Sequence, residues 1–203
     1  MVEFILASAS PARLALLRAA GIAPIVHVSG VDEDAVLSSL ADADPTADAA
    51  TQVLTLSEHK AADVARFHAG ALVVGCDSML EVGGDVVGKP RTPHVAIRRW
   101  RDMRGKTGTL HTGHSIVGPD GATLSRTAST LIRFANPSDD EIAAYVATGE
   151  PLGVAGGFTI DGKGGAFIDA IEGDHHNVVG ISIPLLRTMT AQIGIKWTQL
   201  WAD

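Results

Sequence analysis

The stretch FILASASPARLALLRAAG (residues 4–21) leaves little freedom in how it folds. Residues 2–7 read as a buried strand, the Ser-Ala-Ser-Pro turn breaks it, and 11–20 read as a helix that Gly21 ends. Apolar β-prone runs alternate with longer helical patterns along the rest of the chain, which argues an α/β fold. The turn itself supports two readings. Ser10 at the cap and Pro11 at the first helical position are ordinary helix starters. The same helix N-terminus presents free N–H groups, and Arg13 adds a positive charge within one turn, which suits an anion.

Further along, residues 24–31 alternate apolar and polar and read as a second strand, and 44–70 as one long helix stopped by Gly70. Residues 71–82 form an apolar strand that continues past Gly75 into a Gly-Gly-Asp hairpin turn and the short run VVG. A helix over 93–104 carries an arginine-rich face, and strands 107–118 and 122–134 are joined by GPDG. Ser138 and Glu141 stand at capping-box spacing, so a helix starts there. Residues 155–173 read as short glycine-rich strands and 182–194 as a closing helix. No repeat, linker or low-complexity segment divides the chain.

With 203 residues, 46% of them hydrophobic, the chain fits one globular domain over 1–203 or two small lobes. The net charge of −7, with only 16 Lys and Arg, makes the chain a poor partner for nucleic acid. Any phosphate ligand must therefore be gripped by a few basic groups at one spot. Cys76 is the only cysteine, so no intrachain disulfide forms and nothing suggests an oxidising compartment. The opening MVEFILASAS lacks a basic n-region and its apolar run is too short for a membrane span, so the expected location is the cytoplasm.

Four stretches stand out chemically. Asp77 in GCDSM interrupts an apolar strand, where an unpaired buried carboxylate costs several kcal/mol, roughly. Such a position calls for a partner, a metal or a catalytic task. VDED (31–34) sets three carboxylates together; alone it reads as a solvated acidic loop, but Mg²⁺ takes one or two such oxygens plus substrate phosphates. Lys89 is fixed between a glycine and a proline in VGKPRT, and Lys60 lies inside the long helix; the chain has only five lysines. Two lysines and an arginine converging on carboxylates would make a triphosphate-and-metal site.

Other features read as bland. His111 and His114 fall on opposite faces of a strand and make a poor ligand pair. His175 and His176 read as solvated in a Gly-Asp loop, Cys76 as core, and RRWRDMR (98–104) as a solvated or paired face.

Taken in order, LASASPAR (6–13), VDE (31–33), HKA (59–61), GCDS (75–78), GKPR (88–91), TG (112–113), TGEP (148–151) and GDHHNVVGISIPLL (173–186) resemble the Maf family of nucleoside triphosphate pyrophosphatases. The resemblance implies an elongated mixed β-sheet with flanking helices and two lobes around a central cleft, akin to inosine triphosphate pyrophosphatases. It implies hydrolysis of a nucleoside triphosphate to the monophosphate and pyrophosphate, with a divalent metal cation, Mg²⁺ or Mn²⁺, and a homodimer. Carried over by motif, Asp77 matches the general base, Glu33 and Asp77 the metal ligands, and Lys60 and Lys89 the catalytic lysines. Ser8, Ser10 and Arg13 match the phosphate-binding turn.

At the base-selecting positions this chain has Ala12, Ser78 and Asp161. Members acting on dTTP and UTP have Arg, Thr and Gln there, and those preferring 7-methyl-GTP have Trp, Gln and Glu. The chain matches neither set. A second reading is a regulatory nucleotide-binding protein that acts on septum formation through a protein partner. The joint presence of Asp77, Glu33, Lys60 and Lys89 favours the enzyme, because binding alone does not need a base.

Overall fold

A computed structural model describes residues 2–202. Seven strands form one mixed sheet: β1 (Phe4–Ala7), β2 (Ile25–Val26), β3 (Leu72–Val82), β4 (Asp85–Val87), β5 (Thr107–Val117), β6 (Thr123–Phe134) and β7 (Ile168–Glu172). The order across the sheet is β2-β1-β3-β5-β6-β7, with β4 paired to the far end of β3. β1 runs parallel to β2 and β3, and the remaining pairs are antiparallel. The helices are α1 (Pro11–Ala19), α2 (Glu33–Ala43), α3 (Ala49–Ala65), α4 (Pro93–Met103), α5 (Asp139–Ala147), α6 (His175–Val179) and α7 (Ile183–Gln192). The mixed sheet with flanking helices is the architecture that the resemblance implied.

Strand alternation sorts the core. On one face, Ile5, Ala7 and Val73 pack with Val64 of α3. The other face carries two clusters. Leu6, Val74, Cys76 and Ile116 meet Leu17 of α1 and Leu186 and Met189 of α7. Leu80, Leu110, Ile132 and Phe134 meet Trp100 of α4 and Ile142 and Tyr145 of α5. Buried polar residues His114, Thr112 and Thr130 lie on this second face with Asn177 of α6, while Ser115 faces α3.

The helix α3 lies unusually close to the sheet. A Cβ added at Gly75 would come 2.4 Å from the Ser57 carbonyl oxygen, and one at Gly113 2.1 Å from that of Val53. Only glycine lets backbone meet backbone there.

Several sequence readings need correction. Of the strand expected over 24–31 only Ile25–Val26 pairs; the chain then turns away, with Gly30 N–H donating to Asp63 Oδ2 at 2.8 Å. VDED is not a loop but a helix start. Asp32 caps α2, accepting from Ala35 N at 3.0 Å, and Glu33 and Asp34 occupy its first turn, where acidic groups suit the helix dipole. The helix read over 44–70 spans Ala49–Ala65, because Asp44 closes a turn on Thr46 and Asp48 makes the cap instead. Between 155 and 173 only Ile168–Glu172 is a strand. Gly156 and Gly157, at φ 73° and 68°, fold the preceding residues into 3-10 turns. His175 and His176 open α6 behind the Asp174 cap.

The remaining elements follow the sequence closely. Ser138 and Glu141 form the expected capping box, Cys76 is fully buried, and Arg101 and Arg104 pair with Asp139 at the start of α5.

Gly113→Ala is expected to destabilise the fold by about 2–3 kcal/mol, the upper part of the usual range for forced overpacking, about 1–3 kcal/mol. Gly88→Ala, where an added Cβ meets nothing within 4 Å, should be neutral within about 0.5 kcal/mol. Denaturant midpoints at constant m-value check the pair.

Candidate active site

The sheet has a gap along one edge of β3. β1 covers that edge only as far as Ala7 opposite Gly75, and β4 begins to cover it at Val87 opposite Leu80. Between them Cys76, Asp77, Ser78 and Met79 lack a neighbouring strand on that side. The Ser8–Ser10 turn leaves β1 at one end of the gap, and Lys89 follows β4 at the other. Ligands in sheets with parallel strands settle beyond such carboxyl ends.

Asp77 points to the α3 face, in register with Gly113. Because Gly75 and Gly113 admit the α3 backbone, Lys60 comes down directly on Asp77, Nζ to Oδ1 2.6 Å. The same Nζ stands 2.6 Å from Glu33 Oε1 at the start of α2. The lysine side chain is 9% exposed, Asp77 14% and Glu33 54%. One ammonium thus joins a carboxylate fixed in the sheet to one at the surface.

Ser78 points to the opposite face, where Arg13 organises a second group. Arg13 is buried and spends four of its five N–H donors on the framework. Nε donates to Gly180 O at 2.7 Å, Nη1 to Ser8 Oγ at 2.8 Å and to Cys76 O at 2.9 Å, and Nη2 to Ser78 Oγ at 2.9 Å. Ser78 Oγ meets Thr112 Oγ1 at 2.9 Å, which in turn donates to Asn177 O at 3.2 Å. Ser10 accepts from Arg13 N at 3.4 Å, so the turn does cap α1. Arg13 therefore ties α1, β3 and the segment after α6 into one unit.

The sequence-predicted residues thus fall into two sets on opposite faces of β3. Glu33, Lys60 and Asp77 make one; Ser8, Ser10, Arg13 and Ser78 make the other. Ala12 is half-buried on α1, while Lys89 and Asp161 are exposed on the loops that flank the gap and the glycine-rich segment.

Glu150, unremarked by sequence reading except inside TGEP, anchors that segment. Its Oε1 accepts from Tyr145 OH at 3.0 Å, from Gly164 N at 3.0 Å and from the Thr159 hydroxyl, and its Oε2 accepts from Lys163 N at 3.2 Å. Burial works against its charge, yet the hydrogen bonds from Thr159, Gly164 and Lys163 hold its carboxyl below the usual range. The only hint in the sequence is an acidic residue just before a glycine-rich stretch.

Glu33 and Asp77 offer hard oxygen ligands that already converge on one cation, the Lys60 ammonium. That donor set suits Mg²⁺ or Mn²⁺, which take one or two carboxylates and complete the shell with phosphate oxygens and water. Among the described residues no cluster of three or more His, Cys, Asp or Glu is placed to hold a metal by itself.

Two buried groups are set apart from the chemistry. Burial pushes the Cys76 thiol up to about 11, which leaves it unreactive. His114 donates from Nδ1 to Thr112 O at 3.0 Å and accepts from Ser182 N at Nε2, 2.8 Å, fixing its neutral tautomer at the start of α7. Burial, with the Arg13 charge, brings its pKa down to about 4. His111 lies on the other face with Ser129.

With the geometry in place, the chain can be set beside known proteins. The family model described as "Maf-like protein" matches residues 3–193. A nucleoside triphosphate pyrophosphatase of Streptomyces coelicolor is 54% identical, the match covering 98% of this chain and 95% of that protein. Those of Rhodococcus jostii and Saccharopolyspora erythraea are 50% and 48% identical, covering 100% and 98% of this chain and 98% and 97% of theirs. Among solved structures, a HAM1 protein from Coxiella burnetii gives a TM-score of 0.40 at 17% identity, covering 68% of this chain and 75% of that one. Among the described residues no helix is long and apolar enough to cross a membrane.

The unfolded chain takes up the His114 proton near pH 6.5 and the folded chain only near pH 4. Stability from this residue is therefore complete above pH 6.5 and is lost as pH falls through that window, by up to about 3 kcal/mol. His114→Gln should flatten the pH 4–6.5 limb of thermal stability; an unchanged limb would locate the acid sensitivity elsewhere.

Proposed function

The chain belongs to the Maf family, and from that premise we propose that it hydrolyses nucleoside triphosphates to the monophosphate and pyrophosphate. The observation that carries the proposal is the Asp77–Lys60–Glu33 group at the gap in β3, beside the Ser8–Ser10 turn. A carboxylate set in a strand and held by a buried lysine is poised over a bare edge where a phosphate chain can lie.

Asp77 acts as the general base, orienting a water for attack on the α-phosphorus and accepting its proton. Bond formation from that water oxygen is matched by cleavage of the bond from the α-phosphorus to the bridging oxygen, which leaves with pyrophosphate. Glu33 and Asp77 would hold a divalent cation, which when bound would neutralise phosphate charge. Lys60 and Lys89 neutralise what develops on the phosphoryl oxygens and the leaving group. The N–H groups at the start of α1, the end that Ser10 caps by accepting from Arg13 N, seat a phosphate, so capping and anion binding use the same end of the helix. Arg13 serves this by holding the turn in place, through Ser8 and the Cys76 carbonyl. Ala12, Ser78 and Asp161 take the base-selecting positions, and Glu150 fixes the segment that presents Asp161.

The experiment is a panel of canonical and modified nucleoside triphosphates with Mg²⁺ or Mn²⁺, assayed separately for pyrophosphate and orthophosphate. Pyrophosphate with the matching monophosphate is expected; orthophosphate alone would make the protein a γ-phosphatase. Asp77→Asn should lower kcat by about 100-fold or more while nucleotide binding persists, since a positioned base contributes about 10²–10⁴; near-normal turnover would remove Asp77 from the role. Ala12→Arg with Asp161→Gln should move preference towards pyrimidine triphosphates, and an unchanged substrate profile would reject these positions as selectors.

A further inference from the structure

The two carboxylates proposed to hold the divalent cation are already joined by a cation of the protein's own. Lys60 Nζ stands 2.6 Å from each of Glu33 Oε1 and Asp77 Oδ1. A metal that binds both carboxylates must take the place of that ammonium. Lys60 cannot simply withdraw, because its side chain is 9% exposed and a buried charge stripped of its partners is strongly unfavourable. The only acidic groups paired with it among the described residues are the two that the metal would claim.

The two arms of the clamp are unequal. Asp77 is set in β3 with strand neighbours fixing its backbone. Glu33 is 54% exposed on α2, a helix none of whose residues is buried. An open apolar crevice of about 340 Å³, lined by Ala35, Val36, Ser39, Leu40, Thr55 and His59, lies where α2 meets α3. The Glu33 arm is therefore held less firmly than the Asp77 arm.

We propose that Lys60 is an exchangeable counter-ion that keeps free divalent metal out of the site, so that metal enters only together with the triphosphate. Phosphate oxygens then give the displaced ammonium a new charge-assisted partner within reach of its buried stem. Mg²⁺ and Mn²⁺ gain the additional oxygens that two carboxylates alone do not provide. Metal and nucleotide thereby strengthen each other's binding by one common factor, as linkage requires. The nucleotide half of this coupling rests on the reaction proposed above; the exclusion of free metal rests on the Lys60 geometry and on Glu33 and Asp77 being the metal ligands proposed there.

The test is Mn²⁺ binding without turnover, followed by loss of the free-ion electron paramagnetic resonance signal. In nucleotide-free protein, Lys60→Gln should bind Mn²⁺ about tenfold more tightly than wild type, within the usual range of coupling between sites. Adding Asp77→Asn to Lys60→Gln should remove the gained affinity. With an α,β-methylene triphosphate analogue, wild-type protein should bind Mn²⁺ beyond the analogue's own uptake, and far more tightly than without it. Nucleotide-free wild type that binds Mn²⁺ as tightly as Lys60→Gln, or more tightly, overturns the proposal. Should Lys60→Gln fail to fold, wild type and Asp77→Asn decide: Mn²⁺ binding that Asp77→Asn abolishes and the analogue does not tighten overturns it, and binding that depends on the analogue supports it. Failure of the proposed reaction is seen separately, as absence of pyrophosphate release, and leaves the nucleotide-free comparison standing.

Discussion

The Asp77–Lys60–Glu33 group depends on how closely α3 lies on the sheet. Helices normally rest on a sheet through interlocking side chains. At Gly75 and Gly113 the contact is backbone to backbone, with no space for even a methyl group. Those glycines are neighbours of Asp77 in two directions, Gly75 along β3 and Gly113 across the ladder. Lys60 follows Ser57, whose carbonyl fills the space over Gly75, by three residues on α3. The packing that removes two side chains thus delivers a third, and the Asp77–Lys60 pair is a product of the core rather than an addition to it.

A second constraint is the incomplete edge of β3. Had β1 continued past Ala7, its ladder would have covered Cys76–Met79, and the strand would offer no open backbone. The Ser-Ala-Ser-Pro turn prevents this, since Pro11 begins a helix and its predecessors turn out of the sheet. β4 is shorter still, and Gly88 and Pro90 carry the chain away after Val87. Arg13 keeps the gap from collapsing: it bonds the Cys76 carbonyl, which β1 would otherwise have engaged, and links the turn to Ser78 and Gly180. An arginine that looks in sequence like a ligand for phosphate is, in the structure, bound up in holding the place where phosphate could sit.

Strands and helices with strong local patterns were legible: β3, β5, β6, α4 and the α5 capping box lie close to their expected limits. Failures came where local chemistry and long-range packing differ. VDED looked solvated because its charges dominate, yet acidic residues behind an Asp cap are what a helix N-terminus favours, and the Val36–Leu40 spacing was the available signal. The glycine-rich stretch 155–167 reads as strands because glycine breaks the helical pattern, but positive φ and the half-buried Glu150 anchor impose turns instead. For the site, residue types and order were readable, but their division between two faces of β3 was not. Alternation along Asp77 and Ser78 implies it; what the sequence hides is that α3 supplies one face and α1 the other.

That division bears on the balance of charge. The chain is acidic overall, and a triphosphate is a polyanion, so attraction must be local. Arg13 is committed to carbonyl and hydroxyl oxygens of the framework, and Lys60 begins its cycle already neutralised by two carboxylates. Lys89 is the remaining cationic side chain among the predicted set, and it is exposed, where screening by salt weakens its pull. Free protein of this kind presents little net positive charge to an incoming phosphate chain. Under the exchange proposed above, a cation carried in with the nucleotide would correct this, because it would satisfy Glu33 and Asp77 while freeing Lys60 to face the phosphates. The same exchange would turn a structural ion pair into a catalytic one, with no movement of the sheet that holds Asp77 in place.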